Sequence, residues 1–243
     1  NRVAELRNLW TDEEVDAVMA ARGGYGCLRL MEEINKEEVF SQPKMFIGFS
    51  DITLLHSFLN EHHNLITFHG PVVTSLVKHC RESIHEFNRV IRLRPDSWNL
   101  QPDVEVIRDG GTVRGKTTGG NLSTIVSTLG TPYMPDWRGK IVFLEDTSEP
   151  AYRIDKMLTQ LKLAGMFYEV QAIVLGDFSH GLGLDRNGLM RHHEAIWSRL
   201  QELLDRRAPI FGNYPIGHGA VNNTLPLGLE VTLDSQKKRL YSN

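Results

Sequence analysis

The chain has 243 residues, 41% of them hydrophobic and 23% charged, with a formal net charge of −3. That is the composition of an ordinary soluble globule, long enough for one large domain or two small ones. It speaks against a nucleic-acid partner, because no basic run is interleaved with aromatics, and no apolar run approaches the roughly 18 residues of a membrane span. Cys27 and Cys80 are too few for a disulfide framework and have no metal-ligand spacing, so both read as reduced thiols. The chain enters directly in a helical pattern, about Arg2 to Trp10, with neither methionine nor signal peptide, so the start is expected to be truncated. Val15 to Ala21 reads as a buried strand ending in Arg22-Gly23-Gly24-Tyr25-Gly26, followed by a helix from about Cys27 to Ile34. Lys44 to Ile47 is a second strand, and Ile52, Leu55, Phe58 and Leu59 recur at helical spacing after it. Leu65 to Pro71 is a third strand with its loop, and Ser83 to Arg92 a helix. Residues 94–103, polar with two prolines, form the linker candidate between an N-terminal unit, 1–93, and a C-terminal unit, 104–243.

Beyond the linker, Val104 to Ile107 and Gly111 to Lys116 look like short strands, and Gly119-Gly120-Asn121-Leu122-Ser123 a turn into a helix ending near Leu129. A strand from Lys140 to Leu144, a helix from Tyr152 to Ala164, a strand from Val170 to Leu175 and a long helix from Leu189 to Arg206 follow. Leu229 to Leu233 and Arg239 to Tyr241 read as a closing hairpin. Strands alternating with helices imply an α/β fold, whose parallel sheet gathers ligand-binding loops at the C-terminal edges of its strands.

Both the glycine-rich loop and Ser50 fall on that edge. Ser50 stands in Gly48-Phe49-Ser50-Asp51-Ile52 between a strand and a helix, where a nucleophile elbow would expose its hydroxyl and turn the Asp51 N–H toward an oxyanion. The last position of the usual Gly-x-Ser-x-Gly is Ile52, and a Ser-Asp pair after a strand also fits a plain helix cap. A nucleophile needs a base and an orienting group. His218 stands out among ten histidines because glycines flank it in an irregular loop, Pro215 to Gly228. His69 ends a strand and His180 follows one, and both are candidates for lining a pocket; His62, His63, His192 and His193 read as packing or surface residues, and His56 lies inside the helix after the elbow. Glu145, ending an apolar strand, fits either an orienting acid or a structural carboxylate. Gly24 could supply a second oxyanion donor, and Arg22 either binds a substrate carboxylate or pairs within the fold.

These pieces in this order resemble the LD-carboxypeptidase family of serine peptidases, which includes the microcin-immunity peptidases. The likeness runs from Arg22-Gly23-Gly24-Tyr25-Gly26 and Gly48-Phe49-Ser50-Asp51 through His69-Gly70-Pro71, Gly119-Gly120-Asn121-Leu122 and Gly130-Thr131-Pro132-Tyr133. It continues in Leu144-Glu145-Asp146, Tyr152-Arg153-Ile154-Asp155, His218-Gly219 and Leu225-Pro226-Leu227-Gly228, and so spans nearly the whole chain. The resemblance implies an N-terminal flavodoxin-like parallel-sheet domain and a β-rich C-terminal α/β domain with the active site between them. It further implies a Ser50, Glu145 and His218 catalytic set, with backbone N–H donors at Gly24 and Asp51. It implies no cofactor and no metal, a homodimer, and hydrolysis in the cytoplasm of the L,D bond that releases terminal D-alanine from murein tetrapeptides. The immunity branch instead cleaves peptidyl or aminoacyl nucleotides with an aromatic loop that stacks the base. For that loop only Trp98 and Trp137 are candidates, and the Pro215 to Gly228 loop looks more like the carboxypeptidase branch. A non-catalytic protein holding a small ligand is the alternative from a different class.

Overall fold

The computed structural model describes residues 2–36, 39–76, 81–92, 98–205 and 207–242. Cys80 and the first half of the expected linker lie outside them. Helix α1 (Arg2–Thr11) turns Val3 and Trp10 inward, and β1 (Ala17–Met19), α2 (Met31–Ile34) and β2 (Met45–Gly48) follow. A single 3-10 turn, Ser50–Ile52, then leads into α3 (Thr53–His63), β3 (Thr67–His69), α4 (Val73–Leu76) and α5 (Arg81–Val90). The apolar spacing expected of α3 is met, with Leu54, Leu55, Phe58 and Leu59 all buried against Trp10, Phe40 and Phe46. Burial of such side chains contributes about 1.5–3 kcal/mol each, and it is what seats α3 beneath the corner that carries Ser50.

The remaining elements build a larger sheet. They are β4 (Asn99–Leu100), β5 (Glu105–Arg108), β6 (Thr112–Asn121), α6 (Leu122–Val126), β7 (Ile141–Glu145), α7 (Ala151–Leu163), β8 (Ala172–Leu175) and α8 (Arg186–Leu203). Four more strands, β9 (Ile210–Gly212), β10 (Leu225–Leu227), β11 (Glu230–Asp234) and β12 (Arg239–Ser242), complete the strands among the described residues. One sheet runs β1-β2-β3-β10, parallel except for its last pairing, and the other runs β4-β12-β11-β6-β7-β8-β9-β5 with a parallel centre, β6 through β9. The molecule is thus an α/β protein with a parallel-rich N-terminal sheet and a mixed C-terminal one, as the sequence leads one to expect. Helix α8 starts three residues before the expected Leu189 because Asp185 caps it, its Oδ1 accepting the Gly188 N–H at 2.7 Å.

Three differences from the sequence reading have a physical cause. The segment Gly119-Gly120-Asn121 is the end of strand β6, paired in parallel with Phe143-Leu144-Glu145, and not a turn. Its glycines serve close approach: a Cβ at Gly119 would fall on the Phe143 carbonyl, and one at Gly120 would stand 2.5 Å from Thr53 Oγ1. The second half of the expected linker is also structured, since Asn99–Leu100 pairs with β12 and Trp98 is buried. Finally, β10 comes from the C-terminal half yet pairs with β3, with Leu225 opposite His69. A three-residue strand containing Pro226 carries too little alternation to be recognised, but as an edge strand it tolerates the proline.

These contacts bring the two sheets together at one edge. The Asn121 N–H donates to Thr53 Oγ1 at 3.0 Å, joining the end of β6 to the first turn of α3, and both residues are buried. The ends of β2, β3, β6 and β7 therefore meet where the loops carrying Ser50, Glu145 and His218 emerge.

Candidate active site

Ser50 sits at φ +67° after a fully extended Phe49, a left-handed backbone that an L residue adopts at a cost of about 1–2 kcal/mol. Neighbours hold it there. A Cβ at Gly48 would stand 2.9 Å from Ile52 Cγ2 and 3.1 Å from Ala20 Cβ, so Gly48 makes the space into which Ile52 packs under the corner. The isoleucine that breaks the Gly-x-Ser-x-Gly pattern is therefore accommodated by the preceding glycine. The Gly48 carbonyl accepts two hydrogen bonds, from the Gly70 N–H at 3.0 Å and from His56 Nε2 at 2.9 Å. A carbonyl only accepts, so His56 carries its proton on Nε2. Burial pushes this histidine down to about 4, against the raising effect of that bond, and it stays a neutral clamp behind the elbow.

The glycine-rich loop lies against the elbow. A Cβ on Gly23 would be 3.1 Å from Ser50 Cβ and 3.3 Å from its Oγ. The Asp51 carboxylate anchors the loop's far end, accepting the Cys27 N–H at 2.9 Å. Gly24 stands between these two points at φ +122°, a conformation suited to glycine, and Asp51 is in the turn that Ser50 begins. Burial first, then the Asp51 charge and hydrogen bond, push the Cys27 thiol up to about 12, so it is an inert packing group. Arg22 is exposed at the loop's entrance and makes no ion pair among the described residues.

On the other sheet, Glu145 ends β7 with its side chain fully buried, and its Oε2 accepts a 2.6 Å hydrogen bond from His218 Nδ1. Because the carboxylate accepts, Nδ1 carries the proton and Nε2 is left as the basic nitrogen. The pair requires a glycine next to the histidine: Gly217 is at φ +119°, and a Cβ there would stand 2.8 Å from Glu145 Oε2. The loop is tied at its base, with the Gly217 N–H donating to Asn222 Oδ1 and the Asn222 N–H to Ser83 Oγ, each at 2.9 Å. Behind the acid, Asp146 accepts from Asn121 Nδ2 at 2.9 Å and from the Ser123 N–H at 2.8 Å, fixing the end of β7 to α6. Burial pushes the Glu145 carboxyl above its usual range, against the His218 hydrogen bond. Burial also acts to lower His218, but the Glu145 hydrogen bond and charge outweigh it, and the imidazole is raised.

The two halves meet through Phe49, the residue before Ser50. Its ring centroid is 4.8 Å from that of His218 and 5.8 Å from that of His69. Through Phe49, the structure sets the Ser50 corner and the glycine-rich loop beside the Glu145–His218 pair.

Family models place the chain. The LD-carboxypeptidase N-terminal domain model matches residues 1–70, and the LD-carboxypeptidase C-terminal domain model matches residues 114–233. The chain belongs to the LD-carboxypeptidase family. It is similar to a probable murein peptide carboxypeptidase of Bacillus subtilis, 31% identical over 244 residues that cover 98% of this chain and 74% of that protein. A murein tetrapeptide carboxypeptidase of Pseudomonas aeruginosa is likewise 31% identical, over 98% of this chain and 78% of its own. Among solved structures, a muramoyltetrapeptide carboxypeptidase from Oxalobacter formigenes superposes with a TM-score of 0.85 at 28% identity, covering all of this chain and 84% of its own. An MccF-like protein from Streptococcus pneumoniae in complex with AMP shares the fold, with a TM-score of 0.86 at 21% identity over all of this chain and 82% of its own.

Not every candidate of this LD-carboxypeptidase chain reaches the site's surface. His69 is fully buried between Phe49 and Phe143, with neither ring nitrogen hydrogen-bonded, so it packs behind the elbow and lines no open pocket. Burial holds it well below the ordinary histidine range and neutral. Trp98 and Trp137 are core residues, 2% and 1% exposed, and neither offers a ring to a ligand. Phe49, Gly217 and Asn222 escaped sequence reasoning, since only contacts distant in the chain give them a role. A cavity of about 1050 Å³ lies at the opposite edge of the second sheet, lined among others by Lys162, Tyr168, Leu203 and Arg207, and it holds none of the groups above. Among the described residues no cluster of metal-ligating side chains forms, and no helix is long and apolar enough to cross a membrane.

Proposed function

We propose that the chain is a serine carboxypeptidase that hydrolyses the L,D peptide bond releasing terminal D-alanine from murein tetrapeptides. One observation carries the reading: a strained serine at a strand-to-helix corner whose preceding residue packs on a histidine bonded to a buried glutamate. A structural serine has no need of that company, and a binding protein has no need of a base with an orienting acid. The names of the relatives support murein peptides as substrate.

In this mechanism His218 Nε2 takes the Ser50 proton as the oxygen attacks the scissile carbonyl. Glu145 keeps the imidazole in the correct tautomer and stabilises its cation. The tetrahedral oxyanion faces the N–H groups of Gly24 and Asp51, each donor contributing on the order of 3 kcal/mol to the barrier. His218 then returns the proton to the leaving nitrogen, D-alanine departs, and water attacks the acyl-Ser50 ester with His218 again as base. No step needs a cofactor. Arg22, exposed beside the glycine loop, supplies positive charge for a substrate carboxylate. The same reading carries a homodimer acting in the cytoplasm, with residues 1–93 and 104–243 as two domains docked across the site.

The test is D-alanine release from L-Ala–D-Glu–meso-diaminopimelate–D-Ala, by the parent and by Ser50→Ala, with a peptidyl-adenylate analogue in parallel. Release by the parent alone is the expected result. Turnover of the adenylate only would move the chain to the nucleotide-linked branch, against which the burial of Trp98 and Trp137 stands.

A further inference from the structure

Two rings approach the His218 imidazole. Phe49, on the elbow side, is buried, whereas His180 is exposed, with its ring centroid 6.5 Å from that of His218 and the two planes within 28° of parallel. The backbone of His180 is tightly held. Its N–H donates to Asp177 Oδ2 at 3.2 Å, and its carbonyl accepts from the Ser148 N–H at 2.8 Å and from Thr147 Oγ1 at 3.3 Å. Those two donors follow Glu145 and Asp146 in the chain, so the loop bearing His180 is locked to the strand that supplies the acid. The ring itself makes no hydrogen bond or ion pair among the described residues. A fixed backbone presenting an unengaged imidazole to solvent beside the base is the arrangement of a preorganised contact residue. Asp177, the acid beneath it, is already used as an acceptor by Ser179 and by the His180 N–H.

Chemistry says what lies on that flank. The group His218 must protonate is the leaving nitrogen, at about 2.9 Å from the imidazole. If the leaving group is a free amino acid, its carboxylate is one carbon beyond that nitrogen. It therefore falls about 5 Å from the base, and the His180 ring, whose centroid is 6.5 Å from that of His218, is near enough to hydrogen-bond it. We infer that His180 binds the carboxylate of the leaving residue and so makes a free C-terminus a requirement for substrate. The inference rests on the hydrolase reading above. It assigns to the imidazole beside the base the carboxylate nearest the scissile bond, leaving Arg22 to the carboxylates of the acyl portion.

The experiment compares two peptides, the murein tetrapeptide and its C-terminal carboxamide, with the parent, His180→Ala and His180→Gln. The ratio of kcat/KM on the acid to that on the carboxamide is the readout. Loss of one charge-assisted hydrogen bond should lower this ratio about tenfold in His180→Ala, mostly through KM, while the amide donor of His180→Gln restores part of it. An unchanged ratio, or an equal loss on both peptides, overturns the inference and leaves the hydrolase reading intact. A parent that releases nothing from either peptide overturns the hydrolase reading, and the inference with it.

Discussion

The two halves of the proposed site, the corner around Ser50 and the Glu145–His218 arm, are held by different means. Around Ser50, most of the supports belong to one α/β unit: Gly23, Cys27, Gly48, Ile52 and His56 fix a strained corner. Glu145 and His218 are 73 residues apart, and their 2.6 Å bond depends on Gly217 having no side chain and on Asn222 and Ser83 holding the loop. The first half stores strain in one residue. The second stores none there and depends on the whole fold to bring a strand end and a loop together. Changes at the elbow should thus remove chemistry while sparing the fold, and changes in the acid–base arm should disturb geometry, tautomer and pH response.

The largest expected effect separates the two halves most sharply. Ser50→Ala should lower kcat by about 10⁴–10⁶, as loss of a triad nucleophile does. Ser50→Gly should be equally inactive yet more stable by about 1 kcal/mol, because glycine relieves the positive φ. A Ser50→Gly protein that melts below the parent would show that the corner is not strained.

Next is Glu145→Gln, which removes the charge that holds the imidazole tautomer and should cost on the order of 10⁴ in kcat. Its pH signature is more telling. Protonated His218 cannot accept the Ser50 proton, so kcat/KM falls as pH drops through its folded pKa. Since that value is raised, chiefly by Glu145 working against burial, the acid limb of the parent should lie above about 6.5, the unperturbed histidine value. In Glu145→Gln it should move to lower pH. A limb that stays in place would detach Glu145 from the base.

Gly217→Ala tests the arm's geometry without touching a reacting group. A Cβ 2.8 Å from Glu145 Oε2 must displace either the acid or the loop, and misplacement of about 1 Å costs about 10²-fold in rate. An unimpaired variant would mean that the pair tolerates a looser fit. The smallest effect belongs to the tether between the elbow and the glycine loop. Asp51→Ala leaves the Cys27 N–H without its acceptor and should destabilise by about 1–3 kcal/mol, read as a lowered thermal midpoint.

Much of this was legible in the chain. The alternation of apolar strands with amphipathic helices has a short period and survives without tertiary information, as α3, β7, α7 and β8 show. The strand-to-helix corner singled out Ser50 and the flanking glycines singled out His218, whereas Glu145 joined them only through the family resemblance. Other features were not legible. Gly119 and Gly120 read as a turn because glycine in sequence does not distinguish positive-φ flexibility from close approach to the Phe143 backbone. His69 read as a pocket residue because a strand end says nothing about whether another strand, here β10, will cover it.

The sequence by itself determined most of the elements, the strand-to-helix corner and the types of residue available for chemistry, since these depend on local periodicity and side-chain identity. Only the tertiary structure decided which of ten histidines meets an acid, and that β10 crosses to the first sheet. The same holds for Phe49, which joins the two halves, and for His180, whose imidazole stands beside the base. Those outcomes depend on contacts between residues far apart in the chain, and burial and shape choose among many partners that local pattern leaves equal.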